Sequence, residues 1–119
     1  MSTLQKAKAA LIGILLLGTV LMFLIAGNMV FAAGDISPHV HLGRGLTVFA
    51  VALAIVAWFD NRRELGPSIA VAVLFLMQSV TSHAAGPMPW VAALHPLLGA
   101  VVFVGLTHLI RGLRKPATT

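Results

Sequence analysis

Two segments of the sequence set a histidine four residues before a glycine, His41 to Gly45 and His95 to Gly99. They align without gaps over residues 41–49 and 95–103, at an offset of 54, and share the pattern H-x-x-x-G-x-x-V-F. In a helix, the residue four positions on lies one turn along the same face. Each segment therefore sets an imidazole beside a surface with no side chain, a notch that admits something flat. If the two helices face one another, His41 and His95 meet at equal depth, and Val48 with Val102 continues the apolar wall. That is the arrangement expected for bis-imidazole ligation of a porphyrin iron, with His41 and His95 as metal ligands and haem b as the natural cofactor.

Nearby polar side chains fall into supporting roles. Arg44 lies near the outer interface on the ligand-bearing helix, where it could neutralise a haem propionate or snorkel to lipid phosphate. His83 closes the third helix on the same side and could contact a propionate, serve as an alternative ligand or face water. Asn28 and Ser82 are candidates to accept the distal N–H of the ligating rings. Gln78, deeper in the third helix, is expected to face the bundle, where helix-to-helix hydrogen bonding explains it as well as cofactor contact does. His39, two residues from His41, is expected on the opposite side of its helix. His108 is expected to pack at the basic interface. A copper or zinc site built from His39, His41, His83 and His95 is a further option, but an i,i+2 pair on a helix suits it poorly.

The elements that must position these residues are membrane spans. Hydrophobic residues make up 59% of the 119 and charged residues 9%, with a mean hydropathy of +0.99, which excludes an ordinary soluble domain. Turn-forming breaks at 34–38, 60–66 and 84–89 divide the chain into spans at about 9–31, 41–59, 67–83 and 91–110. The expected architecture is a single all-α domain over 1–119, an integral membrane four-helix bundle made of two tandem helical hairpins. The apolar run after Lys6 and Lys8 could also be read as a cleaved signal peptide, but it is longer than a typical signal core and its loss would break the repeat.

Charge sets the expected orientation. Lys6, Lys8, Arg62, Arg63, Arg111, Arg114 and Lys115 flank one side, and Arg44 is the exception. The excess of positive charge predicts N- and C-termini in the cytoplasm of a bacterial or archaeal cell, with the chain in its inner membrane. Trp58 and Trp90 fall near opposite interfaces. The net charge of +5 is thus a topology signal rather than a nucleic-acid surface. With no cysteine, disulfides, thiolate metal sites and c-type haem attachment are excluded.

The H-x-x-x-G starts at His41 and His95, the second reading His-Pro-Leu-Leu-Gly-Ala, resemble one half of the haem A synthase superfamily and the small four-helix membrane proteins related to it. The resemblance covers nearly the whole chain in topology. It implies one haem held between histidines of the second and fourth helices, His41 and His95. The haem-modifying half of that superfamily carries a glutamate one turn before its first histidine, where this chain has Pro38, so the resemblance does not extend to haem A synthesis.

These readings converge on a b-type cytochrome-like protein that holds one haem near the outer leaflet and passes single electrons. Its expected partners are the lipid bilayer, subunits of a respiratory or oxidoreductase complex and a quinone, with a homo-oligomer left open. A cofactor-free accessory or assembly subunit that packs Gly-rich faces on partner helices is a second reading. Chlorophyll-type tetrapyrrole binding is a third. No acid/base pair, nucleophile with a positioned base or phosphate loop points to a stand-alone enzyme.

Overall fold

The computed structural model describes residues 2–60, 62–83 and 88–113; the side chains of Arg63 and His83 lie outside the description. The Gly86-Pro87 turn, and Arg114 and Lys115 in the tail, also fall outside it. Within these limits the chain is all-α. Helix α1 is Thr3–Ala32, α2 Ser37–Asp60, α3 Arg62–His83, α4 Pro89–Ala92 and α5 Leu94–Leu113. Four segments are long and apolar enough to cross a membrane: Thr3–Ala32, Ser37–Asp60, Glu64–Ser82 and Pro89–Leu113.

The helices are longer than the hydropathy pattern suggests, for local reasons. A capping box starts α1 at Thr3 rather than near Ala9: the Gln5 N–H donates to Ser2 Oγ at 3.2 Å, and the Ser2 N–H donates to Gln5 Oε1 at 2.9 Å. Ala33 ends α1 in the left-handed region with φ 52°, and the Asn28 carbonyl accepts from the Gly34 N–H at 3.3 Å. The polar segment 60–66 is not an extended loop, because α2 runs to Asp60 and α3 starts at Arg62. Pro67 sits inside α3 instead of opening it. Pro96 has no N–H to offer the Ala92 carbonyl, and the helix breaks at Ala93 between α4 and α5.

The four long helices form a ring in which α1 packs on α2 and α5, and α3 packs on α2 and α5. Their shared core contains Ile12 and Leu15 of α1, Leu46, Ala50 and Leu53 of α2, Val71 and Phe75 of α3, and Val102, Leu106 and Leu109 of α5. Outward-facing residues are equally apolar: Leu17, Phe31, Phe59 and Val104 are 75%, 90%, 73% and 66% exposed. Water would not tolerate such a surface, whereas hydrocarbon does. Hydroxyls in the spans bond back to their own helices, Thr19 to the Leu15 carbonyl at 2.7 Å and Thr107 to the Phe103 carbonyl at 2.8 Å.

The two hairpins repeat in burial, at an offset of 56 rather than 54. Buried Ile12, Leu15 and Thr19 of α1 correspond to buried Ser68, Val71 and Phe75 of α3. Buried Leu46, Ala50 and Leu53 of α2 correspond to buried Val102, Leu106 and Leu109 of α5. The alignment at 54 pairs Val48, which is 69% exposed, with Val102, which is 1% exposed. The offset of 56 sets buried positions on buried positions in both hairpins where 54 does not, so packing favours the second register.

Candidate cofactor cavity between His39 and His95

The register shift changes which histidine faces inward. Extending the buried stripe of α2 (Leu46, Ala50, Leu53, Ala57) toward the N-terminus by helical steps leads to Gly43 and His39, not to Gly45 and His41. The corresponding stripe of α5 (Leu109, Leu106, Val102) leads to Gly99 and His95. A third H-x-x-x-G, His39 to Gly43, overlaps the one at His41 and aligns with His95 to Gly99 at the offset of 56.

The His39 and His95 ring centres are 5.8 Å apart, with their planes tilted by 51°. Both rings line a cavity of about 300 Å³, together with Gly43, Arg44, Gln78 and Gly99. Its wall is otherwise mostly apolar, with Met22, Phe23 and Phe75 among the lining residues. A Cβ on Gly43 would meet Met22 Cε at 3.2 Å; one on Gly99 would meet Gln78 Nε2 at 3.1 Å and Phe23 Cζ at 3.4 Å. Met22 and Gln78 are themselves equivalent at the offset of 56, so each notch is faced by the matching position of its own hairpin.

The two imidazoles are supported unequally. His95 Nδ1 lies 3.2 Å from the Gln78 carbonyl and 3.3 Å from Thr81 Oγ1. A carbonyl can only accept, so Nδ1 carries the proton and Nε2 keeps its lone pair for a ligand. His39 Nδ1 is buried with no hydrogen-bond partner among the described residues. Gln78 Oε1 is also buried without a partner among the described residues. Unsatisfied polar atoms in an apolar wall are costly and mark places where a ligand would supply what the protein does not.

The other sequence candidates separate. His41 is exposed and outside the cavity, so it does not face His95; the reason is the 200° rotation that places His39 inward. Gly45 has nothing within 4 Å of where a Cβ would sit and forms no notch. Gly99 and Arg44 line the cavity, with Arg44 exposed at its edge. His83 ends α3, but its side chain lies outside the description. Ser82 lines the cavity and donates to the Ser79 carbonyl at 2.8 Å. Asn28 is exposed at the end of α1 and supports no imidazole. His108 is exposed and outside the cavity. Among the described residues, no group of three or more His, Asp or Glu side chains could hold a metal ion; His83, one of the four candidates for a copper or zinc site, has its side chain outside the description.

A second polar cluster occupies the opposite end of the bundle. Lys8 is 2% exposed, and its Nζ lies 2.6 Å from Asp60 Oδ2 and 2.5 Å from Glu64 Oε2. By charge pattern alone Lys8 is a topology signal and Asp60 and Glu64 belong to a polar connection; packing joins them into one triad. A lysine one helical turn before a buried stripe was the available signal.

The distances also test whether these residues suit a porphyrin iron. Two imidazoles that share one metal at about 2 Å per bond have ring centres roughly 6 Å apart. The observed 5.8 Å is close to that span and the wall is apolar, but Met22 packs on Gly43 and Gln78 with Phe23 on Gly99, so a flat macrocycle would have to displace those side chains. Comparison with protein-family models, curated proteins and solved structures finds no match for the chain.

Proposed function

We propose that this chain is a b-type cytochrome-like membrane protein that holds one haem b between His39 and His95 and passes single electrons. The observation that supports the reading is the approach of two imidazoles, one from each hairpin, to 5.8 Å across an apolar cavity. His39 and His95 would hold the iron, and a bis-imidazole iron supplies one-electron chemistry without an open position for a substrate. Gln78 orients the His95 ring, and Arg44 is placed to meet a carboxylate at the cavity edge. A paired set of ligands favours haem over chlorophyll, whose magnesium usually takes one histidine.

The site lies near one membrane face, so the chain hands electrons to a partner rather than carrying them across the bilayer. That suits a subunit of a respiratory or oxidoreductase complex, with a quinone among its exchange partners. In this reading the cavity faces outward from a bacterial or archaeal inner membrane, and the basic termini and the junction of α2 with α3 face the cytoplasm. The haem link to the haem A synthase superfamily belongs to the same proposal and rests on the H-x-x-x-G motifs.

Absorption spectroscopy of purified protein tests it. Wild type should show a low-spin haem spectrum that is lost in His39→Ala and in His95→Ala and retained in His41→Ala. A spectrum that survives His39→Ala and disappears in His41→Ala would overturn the assignment. Absence of haem from wild type purified from haem-replete cells would overturn the function.

A further inference from the structure

A separate concave surface lies on the outside of the bundle between α2 and α3. It is a groove of about 430 Å³, lined by Ile55, Trp58 and Phe59 of α2 and Ile69, Val73 and Leu76 of α3 among others, and its wall is almost wholly apolar. It extends from Phe59 back to Val51 on α2 and from Leu65 to Leu76 on α3. At 1.5 Å per residue, these stretches are about 12 Å and about 16 Å long. The groove faces outward: Ile55 is 54% exposed, and Phe59 is 73% exposed.

Its head is cationic. The Arg62 guanidinium carbon sits over the Trp58 ring, 5.1 Å from its centre, so the charge lies beside one of the residues that line the groove. The acidic residues on either side of Arg62 in sequence, Asp60 and Glu64, both turn to Lys8 instead. No ion pair to Arg62 is present among the described residues. The surface therefore combines an apolar channel along the span with an uncompensated cation at the interface, beside an anchoring tryptophan.

We propose that this groove binds an anionic phospholipid, with an acyl chain along α2 and α3 and its phosphate at Arg62. An apolar tail and an anionic head together match both parts of the site; a second copy of this chain would match the apolar part alone, since its own Asp60 and Glu64 at this end are taken by Lys8. The site is separate from the His39–His95 cavity, so it stands or falls independently of haem binding.

Fluorescence quenching by brominated lipids tests the proposal. The chain has two tryptophans, so Trp90→Phe leaves Trp58 as the reporter at the groove head. The protein is reconstituted in bilayers containing brominated phosphatidylglycerol or brominated phosphatidylcholine. Half-maximal quenching is expected at about fivefold lower mole fraction of phosphatidylglycerol, equivalent to about 1 kcal/mol for one cation near an anionic head. Adding Arg62→Gln should bring the two lipids to the same midpoint. Equal midpoints without that substitution would overturn the proposal, as would a preference that survives it. Resistance of Trp58 to both lipids would assign the groove to a second copy or a partner helix and would likewise overturn it.

Discussion

Replacing Lys8 with methionine should destabilise the bundle far more than a surface lysine change does. Lys8 is 2% exposed and contacts two carboxylates at 2.6 and 2.5 Å, from the end of α2 and the first turn of α3. Without the ammonium, Asp60 and Glu64 face each other with no cation between them. Breaking a buried pair typically costs about 3–5 kcal/mol, because a charge is left without compensation. The Asp60 and Glu64 side chains are 13% and 21% exposed, so water relieves part of that loss, and about 2–3 kcal/mol is expected. Unfolding in mixed detergent micelles with rising sodium dodecyl sulfate, followed by circular dichroism, measures it. The triple variant Lys8→Met, Asp60→Asn, Glu64→Gln should recover to within about 1 kcal/mol of wild type, since no net charge is then buried. A loss below about 0.5 kcal/mol in Lys8→Met, or a triple variant less stable than the single one, would refute the reasoning, because the triad would not be holding the bundle through charge compensation.

Three further outcomes follow from the packing. Gly18→Ala should cost about 1–3 kcal/mol, because its Cβ would run into the Leu46 side chain, whereas Gly13→Ala, with nothing within 4 Å, should gain about 0.5–1 kcal/mol in the same unfolding assay. Thr81→Val should weaken retention of the proposed haem by about tenfold, measured by haem transfer to an acceptor protein, because it removes one of the two groups at His95 Nδ1 while leaving both ligands in place. The Ser37 backbone N–H and hydroxyl hold the Asp35 carboxyl below the usual carboxylate range. A depressed carboxylate contributes stability that is present above its unfolded pKa and lost as pH falls through the folded one. Amide exchange at the start of α2, corrected for intrinsic rates, should therefore accelerate on acidification below the ordinary aspartate range, and Asp35→Asn should flatten that dependence.

How far the site was legible depends on which residues are considered. The His95–Gly99 half was readable from spacing, since it lies one turn before the buried stripe of Val102, Leu106 and Leu109. The other half was ambiguous, because residues 39–45 contain two overlapping H-x-x-x-G patterns. Residue identity favoured the one at His41, which shares a downstream Val-Phe with the second hairpin. Burial favoured the one at His39, and the apolar stripe at Leu46, Ala50 and Leu53 was the signal available to find it. In a chain this apolar, that stripe is faint, since lipid-facing positions such as Val48 and core positions such as Leu46 draw on the same side chains.

The sequence by itself determined four helices long and apolar enough to cross a membrane and the histidine-glycine spacing, because hydrocarbon demands long apolar helices and each helix repeats every 3.6 residues whatever surrounds it. The tertiary structure decided which side of each helix points inward. It set the two hairpins in register at 56 residues, brought His39 rather than His41 opposite His95, and joined Lys8 to Asp60 and Glu64. Those choices come from close packing between helices, a contact energy that single-residue hydropathy does not contain.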